Sequence, residues 1–147
     1  MRAVALPGCL SGEARVTGRR LAALGVSMAS SRTVCAIAGG ETAVVVRGTG
    51  RGGRNQELAL AAAVEFAGNW KVALLAAGTD GVDGPTDAAG AYADGKTVAR
   101  GRKLGVDAPT ALAANDSHGF FDREGGVLRT GPTGTNVMDL AFLYVDP

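Results

Sequence analysis

An excess of charge of either sign is missing from this chain: 15 basic against 14 acidic residues in 147 leave a formal charge of +1. Without a basic stripe or an acidic tail, neither nucleic acid nor an anionic membrane surface is a leading partner. Long apolar runs are also absent. None approaches the roughly 18 residues of a membrane span, and no signal-like leader is recognisable, so a cytoplasmic protein is expected. Cysteine is scarce: Cys9 and Cys35 are read as small buried hydrophobes in a reducing compartment. Histidine occurs once. His118 has no Ser-x-Gly elbow and no metal-ligand spacing around it, and reads as a surface or helix-start residue rather than a catalytic base. Aromatic residues make up only 5%.

What is abundant is glycine, 23 residues, about twice the usual roughly 7%, with no repeat period. Glycine in loops lets backbone approach backbone or ligand closely. The length allows one domain with a real core and is too short for two ordinary ones.

The opening residues 1–10 are apolar but broken by Pro7 and Gly8, and read as a strand remnant or loose leader. From Ser11, a plausible N-cap, Ala14, Gly18, Leu21 and Gly25 recur on one face of a helix that closes near Gly25. Residues 33–38 and 42–46 both carry a β-branched, apolar strand signature, with Gly39-Gly40 turning the chain between them. Residues 55–67 form a helix apolar almost all round, and residues 72–77 form the most apolar run, the pattern of a central strand covered on both faces. A short strand is expected at 91–93, a polar helix at 95–104, turns capped by Asp107 and by Asn115 or Asp116, an extended piece at 127–129 and a final strand at 140–145. Alternating strands and helices predict an α/β fold: three layers, α/β/α, around a mixed, mainly parallel sheet.

Three loops could carry chemistry. The first, Arg47-Gly48-Thr49-Gly50-Arg51-Gly52-Gly53-Arg54-Asn55-Gln56-Glu57, contains G-x-G-x-x-G between a strand and a helix. The acidic residue expected about 20 positions on is missing, because the first candidate, Asp80, comes too late. What remains is glycine N–H groups, a helix N-terminus and three arginines, a place that attracts a carboxylate or phosphate. The second loop, 79–87, follows the apolar run and holds Asp80, Asp83 and Asp87. An EF-hand is excluded, because the third and fifth positions from Asp80 fall on Val82 and Gly84. Magnesium remains possible, since it needs only one or two carboxylates beside phosphate oxygens. The third loop, 130–139, is rich in hydroxyls that suit a phosphate or sugar. Each loop alone serves equally well as an ordinary turn.

Together the pieces are more specific. Gly39-Gly40-Glu41-Thr42, then Arg51-Gly52-Gly53-Arg54-Asn55-Gln56-Glu57, then 77–90 with its Thr79-Asp80-Gly81-Val82-Asp83-Gly84-Pro85-Thr86-Asp87 core, then Asn115-Asp116-Ser117, then Thr130-Gly131-Pro132-Thr133-Gly134-Thr135-Asn136 resemble the MOFRL domain, the C-terminal domain of type II glycerate kinases, which some annotations have labelled hydroxypyruvate reductase. The resemblance covers about 33–147, with 1–32 read as a leader and a helix preceding the domain; His118 stands where the family usually carries an aromatic. It implies transfer of the ATP γ-phosphoryl group to D-glycerate with Mg²⁺, in a cleft shared with a larger N-terminal domain that would supply a lysine. The chain is then a fragment, split gene product or standalone module, catalytically incomplete by itself, whose partner is that missing domain or a second copy. On this view Arg51 and Arg54 anchor the substrate carboxylate or phosphate. Asn55, Glu57, Thr79, Asp80, Thr133, Thr135 and Asn136 bind substrate or nucleotide, and Asp80, Asp83 and Asp87 supply metal contacts. The competing readings are an NAD(P)H-dependent hydroxypyruvate reductase and a noncatalytic binding or assembly module.

Overall fold

The computed structural model describes residues 1–28 and 32–147. In chain order the elements are β1 (Arg2–Leu10), α1 (Ala14–Ser27), β2 (Val34–Gly40), α2 (Arg54–Glu65), β3 (Val72–Gly78), β4 (Gly90–Asp94), α3 (Thr97–Lys103), α4 (Ala108–Ala113), α5 (Ser117–Glu124), β5 (Val127–Leu128) and β6 (Asp139–Val145). Their six strands form one mixed sheet in the order β1-β2-β6-β3-β4-β5. The fold is α/β as expected, but the balance of strand directions is the reverse of a mainly parallel sheet. Only β1 and β2 run parallel, joined through α1, while every other pair is antiparallel. The reason is β6. It returns between β2 and β3, opposite in direction to both.

Residues 1–10 are a full edge strand rather than a loose leader, so β1 and α1 belong to the same sheet and core. The expected strand at 42–46 is absent apart from one bridge between Ala43 and Glu13. β2 already has β1 on one side and β6 on the other, so a further strand has no edge to join. Ser11 does not cap α1, which starts after Glu13.

Strand alternation decides where the core sits. Val34, Ala36, Ala38, Leu74, Ala76, Ala91, Ala93, Ala141 and Leu143 face one way and are buried against α1 and α2. α1 crosses α2 so closely that a Cβ on Gly18 would collide with the Leu58 carbonyl. The three short helices extend this same layer. The opposite face, with Cys35, Ile37, Leu75, Tyr92, Phe142 and Tyr144 in register, is only half-buried or exposed. The expected third layer is therefore missing among the described residues, and β3 is covered on one face instead of two. Cys35 is a free thiol on that open face; the side chain of Cys9 lies outside what is described. No described helix is long and apolar enough to cross a membrane.

Candidate active site

The polar loops meet at the end of the sheet formed by the carboxyl ends of β2 and β3 and the start of β6. Thr79 fastens the second loop to the third: its N–H and its hydroxyl both donate to the Met138 carbonyl, and its oxygen accepts from the Val137 N–H. Met138 is held at φ 71°, a left-handed conformation that a side-chain-bearing residue rarely adopts, and its own N–H donates to the Asn136 side chain. Thr133 donates its hydroxyl to the Thr79 carbonyl at 2.5 Å, Thr135 donates its N–H to the Thr133 hydroxyl, and the Asn136 amide donates to Asp80. Thr79, Asp80, Thr133, Thr135 and Asn136 are thus brought together at one junction.

Arg54 sits at the centre of this edge. Nε and Nη2 donate to the two oxygens of Asp139 at 2.5 and 3.0 Å, a bidentate pair with a buried carboxylate, while Nη1 lies 3.0 Å from exposed Glu41. The hydrogen bonds it donates to Asp139, with the nearby carboxylates, hold the guanidinium still more firmly in its charged form. A Cβ on Gly78 would lie 2.9 Å from Asp80 Oδ1 and 3.5 Å from Asp139 Oδ1, so two carboxylates flank one open Cα. Neither Asp139 nor Glu41 stands out in the sequence as a site residue. Their only signal is position, an acid opening the last strand and an acid following a Gly-Gly pair.

The glycine-rich loop serves a different purpose from the one its pattern suggests. Four of its N–H groups bond within the protein: Arg47 and Gly48 donate to the Asn115 side chain, Gly50 to the Ala114 carbonyl and Arg51 to Asp116. Gly48, Gly50 and Gly52 have no room for a side chain because the turn leading into α5 lies directly against them. The N-terminus of α2 is likewise occupied. Asp83, buried, accepts from the backbone N–H groups of Asn55 and Gln56 and from both their side-chain amides at 2.9 to 3.2 Å. It fills the place where an anionic ligand would bind a helix start. Burial pushes its carboxyl up, against the four N–H donors that favour charge.

Several expected site residues therefore do structural work. Asn55 is spent on Asp83. Glu57 is buried and holds Arg15 at 3.0 Å and the Asn115 amide at 2.8 Å. Asp87 pairs with Arg129, and that hydrogen bond lowers its carboxyl. Arg51 stays exposed and reaches the Pro85 carbonyl. Among the described residues no three His, Cys, Asp or Glu side chains gather as a metal site, so Asp80, Asp83 and Asp87 do not form one. Asp80 lies at the loop junction beside Asp139 and accepts from the Val82 N–H and the Asn136 amide. His118 opens α5 as expected but is buried: its Nδ1 is 2.9 Å from Gln56 Oε1 and its Nε2 3.6 Å from Asp87. Gln56 lies in the polar first turn of α2, beside Asn55 and Glu57, and that turn is the legible sign of this buried network.

The chain is thus a one-sided α/β sheet carrying an arginine–carboxylate cluster and three interlocked polar loops at one end. Residues 34–139 match the model of the MOFRL family, and the chain belongs to that family. It is 55% identical over 104 residues to D-glycerate 2-kinase of Thermotoga maritima, covering 71% of this chain and 25% of that protein. It is 51% identical over 122 residues to glycerate kinase of Bos taurus, covering 78% of this chain and 23% of that one. The crystal structure of the Thermotoga maritima glycerate kinase superposes with a TM-score of 0.91 at 44% identity, over 97% of this chain and 36% of that chain. The chain thus spans about a quarter to a third of the length of these relatives.

Proposed function

We propose that this chain is the glycerate-kinase domain of a two-part enzyme, which transfers the γ-phosphoryl group of ATP to a hydroxyl of D-glycerate with the help of a larger domain. The observation that carries this reading is the Arg54–Asp139 pair beside Asp80, at the edge where the Thr79 and Thr133 loops interlock, in a chain so similar to named glycerate kinases. In the transfer, a substrate oxygen forms a bond to the γ-phosphorus, the bond to the bridging oxygen of ADP breaks, and the hydroxyl proton leaves. Such a reaction needs positioning and charge neutralisation more than covalent help. Arg54, fixed by Asp139, holds a carboxylate or phosphate through its remaining edge. Arg51 lies exposed over the Pro85 turn, within the same group of loops. Thr133, Thr135 and Asn136 orient hydroxyl or phosphate oxygens. Asp80 is the carboxylate that would meet Mg²⁺, which when bound neutralises charge on the nucleotide phosphates.

The reductase reading loses its physical support, because the α2 N-terminus that would cradle a pyrophosphate already holds Asp83. The test is complementation. The chain alone should show no ATP-dependent phosphorylation of D-glycerate, and should gain it when mixed with the remaining part of the Thermotoga maritima relative, made separately. Arg54→Ala should then lower kcat/KM at least about tenfold, the cost of a lost charged hydrogen bond. Robust activity from the chain alone, or none in the mixture, would overturn the proposal.

A further inference from the structure

Arg54 presents three hydrogen-bonding edges, and their partners differ sharply. Asp139 takes Nε and Nη2 with a buried carboxylate anchored at the start of a central strand. Glu41 approaches Nη1 at 3.0 Å with a side chain that is 56% exposed. The backbone of Glu41 is fixed, because Gly40 turns at φ 145° and the Glu41 N–H donates to the Leu10 carbonyl at 2.8 Å. Its carboxylate is therefore tethered at one end and free to rotate at the other. We propose that Glu41 is an internal stand-in for an oxyanion ligand on Arg54, and that a substrate carboxylate or phosphate binds by exchanging with it.

Charge makes the exchange necessary. With Asp139 and Glu41 both in place, one guanidinium faces two carboxylates, and Asp83 acts on it as a third. An incoming anion would be repelled by that arrangement. Once Glu41 rotates into solvent, the exposed edge of Arg54 is free and the local negative charge falls by one unit. The rotation is cheap, because exposed ion pairs are weak and their side chains gain freedom on release. Asp139 cannot leave in the same way. Its burial makes it the permanent half of the pair, which keeps the guanidinium plane fixed while its other partner changes. Glu41 thus sets how tightly the empty site holds anions, and a neutral ligand has nothing to exchange.

This inference rests on the reading of Arg54 as the anion anchor, and it is tested on the full chain by direct binding. Calorimetric or NMR titrations with D-glycerate, inorganic phosphate and glycerol are compared for the wild type, Glu41→Gln and Asp139→Asn. Glu41→Gln should bind D-glycerate, phosphate or both about two- to fivefold tighter, the range expected for removing an exposed competing ion pair. Tightening for D-glycerate alone assigns the edge to a carboxylate, and for phosphate alone to a phosphoryl oxygen. Glycerol should be unaffected, and Asp139→Asn should weaken whichever anion binds. Unchanged or weaker anion binding in Glu41→Gln, including no binding to either protein, would overturn the exchange. A Glu41 that neither occupies nor repels at this edge cannot produce a gain in affinity. If complementation fails while Glu41→Gln still tightens binding, the kinase reading falls and the exchange stands; phosphorylation without that gain sinks the exchange alone.

Discussion

Asp83 shows how residue type can be legible while role is not. An aspartate in a loop after an apolar strand suits a metal, a hydroxyl or a turn equally well, and only the fold reveals that it reaches the start of α2, 28 positions away from its Asn55 partner. Gly53 makes that possible, since a Cβ there would occupy the space of the Asp83 carboxylate. Replacing Asp83 with Asn keeps the shape but turns one acceptor into a donor facing N–H groups. Asp83→Asn should destabilise the chain by about 2 to 4 kcal/mol in denaturant unfolding. A loss below about 0.5 kcal/mol would show that α2 does not depend on this cap. The sequence exposed the polar residues that line the edge, Thr79, Asp80, Thr133 and Asn136, because they cluster in loops after strands. It hid Asp139 and Glu41, because a single acid at a strand end has no pattern, and it suggested a free helix N-terminus in the first loop because glycine spacing does not record what the N–H groups touch.

At the level of elements, helix and strand positions were readable wherever periodicity was strong, as in α1, α2, β3 and β6. Pairing direction was not, since alternating strands and helices look the same whether a later strand returns parallel or antiparallel. The short helices depend on side-chain locks that periodicity cannot show. α3 is held by Arg100, which donates to Asp94 at 2.9 and 3.0 Å and to Glu124 at 2.6 Å. The side chain of Glu124 is almost wholly buried and its other oxygen has no partner among the described residues. Arg100→Ala would strand that carboxylate and should cost about 2 to 3 kcal/mol at pH 7, discounted because Arg100 itself is partly exposed. For Asp94, burial raises the pKa, but the Lys96 N–H and Arg100 outweigh it and leave the carboxyl below its ordinary value of 3.8. A depressed carboxylate stabilises the fold above its unfolded pKa, and that share is lost as pH falls through the folded value. The gap between wild type and Arg100→Ala should therefore be widest near neutrality and shrink below about pH 3.8. Equal gaps at pH 7 and pH 3, measured by denaturant unfolding, would rule out the ionic lock.

The whole molecule is a sheet with one covered face and one bare one. Leu74 and Leu75 are neighbours of identical composition pointing in opposite directions, the first wholly buried and the second half-buried. Leu74→Ala should cost about 2 to 5 kcal/mol in the isolated chain, and Leu75→Ala about 1 kcal/mol or less. Equal costs would mean that the bare face is covered in solution. This asymmetry is not legible in the residues, because β3 is apolar on both faces.

The central place of β6 has a consequence for how the protein is made. Without β6 the sheet divides into β1–β2 and β3–β5, each left with an unpaired edge, and the strand that joins them is the last described element of the chain. The same strand brings Asp139 to Arg54, 85 residues earlier in the chain. Until it is inserted, the arginine has no fixed orientation, so assembly of the sheet and arming of the ligand edge are one event.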